Sequence, residues 1–186
     1  MIFKDTKFII KRDSGVLSPF ASFNIFSYDG KFVAFAKDEN RNIVTHFVKR
    51  LGKLRALAPV YLKVKDLFGV SVININSHPR VFYSLYDLWT INGEKYFIKP
   101  KIFPIPNVME IWDSFNKIGE VIGRTIFDGV NREVAIFSWS QSDFLNWYDE
   151  GFLEVLEEDW IDISLGIALI KGAHIKPMEL TPLPVF

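Results

Sequence analysis

Residues 160–175, WIDISLGIALIKGAHI, constrain the fold more than any other stretch of the sequence. From Leu165 to Ile170, six consecutive residues are apolar or glycine. At about 100° per residue such a run goes right round a helix and leaves no face for water. A surface helix has an apolar stripe and a polar back; this one has neither, so protein or lipid must enclose it. A membrane span needs about 20 apolar residues, whereas Asp162 and Lys171 bracket only eight. The small residues point to close enclosure. Gly166 and Ala173 share one helical face, and Ala168 and Gly172 share another. Glycine costs about 1 kcal/mol inside a helix, so two of them imply that neighbouring chain comes close. The expectation is a helix threaded through the middle of a β-structure.

The rest of the sequence is suited to building that β-structure. Among 186 residues, 49% are hydrophobic and 24% charged, as in a globular chain large enough to bury a core. Its 18 Phe, 5 Trp and 6 Tyr favour strands. A formal net charge of zero argues against a dedicated nucleic-acid binder, which carries a basic excess. With no cysteine, a disulfide framework, a thiolate zinc site and a Cys nucleophile are excluded. The opening MIFKDTKFIIKRD has early charges and no long apolar core, so it does not read as a signal peptide. With no 18-residue apolar run and no transmembrane span expected, the default expectation is a soluble cytoplasmic protein.

Hairpin signals recur along the chain. Residues 22–37 read as two strands around Asp29-Gly30, a dipeptide that supplies the positive φ of a tight turn. Residues 60–75 repeat the arrangement, with Val60, Leu62 and Val64 alternating with Tyr61, Lys63 and Lys65 before a turn at 66–69. Residues 88–98 turn at Asn92-Gly93, residues 108–127 form a hairpin with a longer turn from Asp113 to Gly119, and residues 133–139 add a strand. Four or more hairpins at this spacing indicate an all-β sandwich or barrel. Residues 41–57 read as a strand, a short helix or both in turn, and residues 142–158 as irregular or helical. No Gly-, Ser- or Pro-rich linker divides the chain, so a single domain over 1–186 is expected: a barrel over 7–140, a central helix over 160–175 and an extended tail over 176–186.

The repeated hairpins, each with Asp or Asn and then Gly at its turn, are followed by a hydrophobic C-terminal helix. Together they resemble the tubby C-terminal superfamily, and within it the phospholipid scramblase and LURP-one-related families. The likeness is carried by NIFSYDGKFVAFAKDE, LGKLRAL, VYLKVKDLFGVSVININSHPR, IGEVIGRT and DWIDISLGIALIKGA, in that order over roughly residues 22–175. It implies a closed barrel of about twelve antiparallel strands around a central hydrophobic helix, an architecture in which closure removes the strand edges. Scramblases also carry a proline-rich N-terminal region and a cysteine-rich acylated stretch. These 186 residues contain neither, so the likeness speaks to fold more than to lipid scrambling.

Two clusters are candidate sites. Lys49, Arg50, Lys53 and Arg55 form a basic run that Lys63 and Lys65 on the next strand can extend. The tubby resemblance implies that such a patch binds anionic phospholipid or phosphoinositide headgroups, placing the protein peripherally on a membrane. Each Lys or Arg near an anionic bilayer contributes about 1 kcal/mol. The plainer reading is a solvated loop face. The second cluster is acidic: Glu157, Glu158, Asp159 and Asp162, preceded by Glu154. In scramblases a calcium segment lies just before the helix, but this run lacks the alternating Asp/Asn and glycine of a calcium loop. Asp159 as N-cap, with Asp162 three residues on in an approximate capping box, accounts for it instead, so no cofactor is expected.

Catalytic residues are not expected. His46, His78 and His174 have no metal-ligand spacing, His78 reads as a loop residue, and IGEVIG lacks the third glycine and the Lys-Ser/Thr of a phosphate cradle. No G-x-S-x-G elbow or H-E-x-x-H occurs. Two functions fit. One is a non-enzymatic scramblase-like or LURP-one-related domain that associates with an anionic membrane surface, or acts as an adaptor for a protein partner. The other is a β-barrel that binds a small ligand, or an enzyme using the barrel as a cup. A filled lumen with a basic surface favours the first; a deep open pocket favours the second.

Overall fold

A computed structural model describes residues 3–13, 21–39, 59–79, 84–101, 108–140 and 148–173. Twelve antiparallel strands close into one barrel, each strand hydrogen-bonded to its sequence neighbours and β1 to β12. They are β1 (Lys7–Asp13), β2 (Ser22–Ser27), β3 (Phe32–Asp38), β4 (Tyr61–Asp66), β5 (Ser71–Pro79), β6 (Ser84–Thr90), β7 (Lys95–Pro100), β8 (Val108–Trp112), β9 (Lys117–Ile122), β10 (Thr125–Asp128), β11 (Glu133–Ser140) and β12 (Tyr148–Val155). A 3-10 turn over Glu158–Trp160 leads into the helix α1 (Ile161–Ala173). The hairpins at Asp29-Gly30, at 66–69 and at Asn92-Gly93 form as the sequence indicates.

The helix fills the barrel. Eleven of its thirteen residues are buried; the other two, Asp162 and Lys171, sit at its two ends. It packs against β11 and β12 on one side and β5 and β6 on the other. Those pairs lie half a circuit apart in the twelve-strand order, so α1 crosses the lumen. A barrel of eight strands can be filled by wall side chains alone, whereas twelve enclose a wider space that needs an additional element. A thirteen-residue helix is about 20 Å long, comparable to strands of six or seven residues. Its small residues lie where the wall is nearest. A Cβ on Gly166 would run into Leu88 Cδ1, and one on Gly172 would enter the Trp139 ring. Trp139 Nε1 donates to the Ala168 carbonyl (3.1 Å), so Ala168 and Gly172 both face this indole.

Three sequence expectations are corrected. Residues 148–155, within a stretch read as irregular or helical, form β12, so the barrel extends to 155 rather than ending at 140. The segment YDEGFLEV has weak β-formers, and its partners decide its state. Outside, Glu154 pairs with Lys7 (2.9 Å) and Glu150 with Lys11 (3.4 Å); inside, Asp149 meets the buried Arg12 (3.4 Å). Gly151 lies directly opposite Trp139, and a Cβ there would approach the indole to 2.9 Å. Next, residues 108–127 make three strands rather than one hairpin. Gly119 belongs to β9, where its missing side chain admits the Trp160 ring, and the second turn falls at Gly123. Finally, His78 lies in β5 rather than a loop and contacts Asp87 at 3.3 Å.

Residues 41–57, His46, His174 and the tail over 176–186 lie outside the described residues.

The lumen packing leads to a stability prediction. Gly166→Leu should destabilise by about 1–3 kcal/mol or more through overpacking, and Leu169→Asp should abolish cooperative unfolding, because an unpaired buried charge costs several kcal/mol. Urea titrations of both variants check this. A Gly166→Leu midpoint equal to wild type would mean that the lumen is loose.

Candidate functional site

The described part of the basic cluster lies on the outer wall of β4. Leu62 and Val64 point into the core, which turns Tyr61, Lys63 and Lys65 outward. Strand register then assembles their neighbours. Tyr61 faces Asn76 on β5, Lys63 faces Asn74, and Asn74 in turn faces Trp89 on β6. These residues line a surface groove of about 420 Å³ that also includes Glu39, just beyond β3. The groove combines two half-exposed aromatic rings, two amides and an ammonium group, a set able to stack a ring and hydrogen-bond polar groups.

Glu39 dominates its electrostatics. The carboxylate receives Lys63 on one oxygen and Lys65 on the other, each at 3.4 Å. Burial pushes its carboxyl pKa up, but the ammonium groups of Lys65 and Lys63 outweigh this and hold it below the usual range. The trio carries one net positive charge, so an anionic ligand here competes with Glu39 for both lysines. Lys95 adds a cation the sequence did not single out. It sits over the Trp89 ring at 5.0 Å and pairs with Asp87 at 3.0 Å. The Asn92-Gly93 hairpin places Lys95 directly opposite Trp89, so a register drawn from that turn would have found it. The Asn74–Trp89 pairing joins two different hairpins and has no local signal.

Lys49, Arg50, Lys53 and Arg55 lie outside the described residues; their segment joins the end of β3 to the start of β4, where Glu39 and Tyr61 stand. The structure therefore brings Lys63 and Lys65 together, and leaves the other four placed only by the chain ends that flank them.

The acidic residues are dispersed in role. Glu157 pairs with Arg132 at 3.0 Å. Glu158 and Asp159 lie inside the 3-10 turn. Asp159 is thus not the N-cap: the residue before the turn is Glu157, which makes no side-chain capping bond. The turn supplies backbone continuity into α1 in place of a capping box, since the Trp160 amide donates to the Glu157 carbonyl. Asp162 lies in the first helical turn, where burial raises its carboxyl pKa and the Glu94 carboxylate adds to the effect. No group of three or more metal-capable side chains occurs among the described residues. A second recess, about 390 Å³, lies outside β11 and β12 and exposes one edge of Trp139, whose indole is already committed to the helix.

No family model, no curated protein and no solved structure matches the chain. None of the described helices is long and apolar enough to cross a membrane.

Two predictions follow from the acidic end of the barrel. Ligand binding to the native state raises Tm, so millimolar calcium should leave Tm unchanged; a rise of several degrees, absent with magnesium, would establish a calcium site at Glu157–Asp162. The second concerns Asp162, whose pKa is raised by folding. The native state then holds this proton more tightly than the unfolded chain, and stability falls as pH rises through the window between the ordinary and raised values. Asp162→Asn should flatten that part of the stability profile and stabilise the protein at neutral pH. Urea midpoints measured between about pH 3.5 and 7 check this; an unchanged slope would assign the dependence to another group.

Proposed function

We propose that the chain is a non-enzymatic, tubby-like domain of the scramblase or LURP-one-related type that associates with anionic phospholipid headgroups at a membrane surface. The observation that carries this reading is the groove of Lys63, Asn74, Asn76, Tyr61 and Trp89, beside the strand ends joined by a segment bearing Lys49, Arg50, Lys53 and Arg55. The lumen supports it from the other side. Among the described residues, α1 is buried along its length and occupies the lumen where a small ligand would otherwise sit. Lys63 and Lys65 are held by Glu39 rather than free, so the headgroup's main affinity is assigned to the 49–55 cations, with the groove contributing amides and a stacking surface.

Co-sedimentation with phosphatidylserine or phosphoinositide vesicles tests the proposal. Binding should be strong at low salt and should weaken as screening shortens to about 8 Å at physiological ionic strength. Replacing Lys49, Arg50, Lys53 and Arg55 with Glu should abolish binding and leave the thermal melt intact, whereas Glu39→Gln should strengthen it by freeing two ammonium groups. Wild-type protein that ignores anionic vesicles at low salt would overturn the reading.

A further inference from the structure

The two ends of the barrel are built differently. Five short hairpin turns and the β12–α1 connection all emerge at one rim, because every strand is antiparallel to its neighbour. The turns are 28–31, 67–70, 91–94, 113–116 and 129–132. Four share one geometry: the amide of Gly30, Gly69, Gly93 or Asn131 donates to the carbonyl three residues back, and each of these residues takes a positive φ, between 63° and 82°. Three share a side-chain device. Asp66, Asp113 and Asp128 each accept, on one carboxylate oxygen, the amide two residues on (2.9, 2.7 and 3.0 Å) and one further amide of the same turn.

What these turns present is apolar. The residue two after each aspartate is Phe68, Phe115 or Val130, exposed to 90%, 87% and 81%. The other two turns carry Tyr28 and Ile91. Tyr28 meets the Phe152 ring edge-on at 6.1 Å, but folding gains little from Phe68, Phe115 and Val130, which stand almost wholly in solvent where turns favour Asp, Asn, Ser or Gly. Apolar residues on all five turns of one rim therefore mark an interaction surface.

We propose that this crown of tips inserts into the interfacial layer of a zwitterionic phospholipid bilayer. Shape is the first argument. Separate fingers set round the mouth of a barrel match a flat, deformable surface, whereas a protein partner requires a continuous patch of about 800 Å² per side. Hydrogen bonding is the second. The tip amides are already satisfied by the three carboxylates, which lowers the cost of leaving water. Charge is the third. Most cations behind the tips are paired within the protein: Lys95 with Asp87, Lys117 with Glu120, Arg132 with Asp128 and Glu157, and Lys65 with the Glu39 it shares with Lys63, while Lys31 is exposed in the first turn. The exposed acids Glu158 and Asp159 stand at the same rim. Such a rim, with Lys31 set against Glu158 and Asp159, gains little from an anionic surface, so its affinity comes from apolar area. The inference does not depend on the anionic-headgroup reading, which uses the β4–β6 wall and the opposite rim.

The test uses vesicles of pure phosphatidylcholine. Wild-type protein should bind them, and binding should persist in about 0.5 M salt, where charge attraction is screened. The triple variant Phe68→Ser, Phe115→Ser, Val130→Ser should keep the wild-type melt and partition at least about tenfold more weakly. Because the chain has no cysteine, Phe115→Cys carrying an environment-sensitive fluorophore reports on one tip, and Arg124→Cys on the opposite rim serves as control. The first should brighten with vesicles and the second should not. Failure of wild type to bind phosphatidylcholine, or equal binding by the triple variant, would overturn the proposal. So would concentration-dependent self-association that the triple variant abolishes, since the tips would then serve a second copy of the chain. Charge reversal at 49–55 should leave this binding unchanged, which separates it from loss of the anionic-lipid site.

Discussion

The contact between α1 and the barrel wall is the constraint on which the rest of the structure depends. A helix apolar on every face is stable in water only if every face is covered, and a barrel lumen lined by apolar side chains, as here, is stable only if it is filled. Each element removes the other's defect. Gly166 and Gly172 let the helix backbone approach Leu88 and Trp139 on different parts of the wall, while Asp162 and Lys171 mark the ends of the buried run. Burial lowers the Lys171 pKa as it raises that of Asp162, so both ends bear a cost for holding charge near the mouths of the lumen.

Closure is the second requirement, and it rests on the β1–β12 seam. Here the first strand in chain order pairs with the twelfth. The seam is fastened outside by Lys7–Glu154 and Lys11–Glu150 and inside by Arg12–Asp149. The exposed pairs add little stability individually, but the buried pair fixes register, because a slip of one residue would turn Arg12 outward and Lys11 into the core. Such a long-range seam contributes high contact order, so slow folding is expected of this topology.

Closing the barrel also separates the two candidate surfaces by position. The rim bearing the short hairpins has rigid, self-capped turns with apolar tips; the wall of β4–β6 carries the polar groove and leads toward the segment with the basic run. A single net charge of zero hides this division. Neither surface uses the lumen, which is given over to packing. Among the described residues, the outer wall carries charged side chains along its strands, as at Lys7–Glu154, Lys11–Glu150 and Lys95–Asp87, where a membrane-spanning barrel presents an apolar band.

The central helix, the hairpins at 29–30, 66–69 and 92–93, and the absence of a thiol or of a long apolar span were all legible from the sequence, because each depends on near neighbours: helical period, turn chemistry and composition. So was the outward direction of Lys63 and Lys65, from strict alternation on β4. Other features were decided only in three dimensions. The segment 148–155 is a strand because Lys7, Lys11 and Arg12, more than a hundred residues away, meet its carboxylates and because Trp139 needs the space at Gly151. Glu39 offsets one of the two charges of Lys63 and Lys65 through a pairing of β3 with β4 that spans a long connection. The apolar tips were visible as residues, yet nothing local says that five turns share one rim; antiparallel order and closure place them together. Local chemistry sets what each segment prefers, and the burial of α1 within a closed sheet selects which preferences are kept.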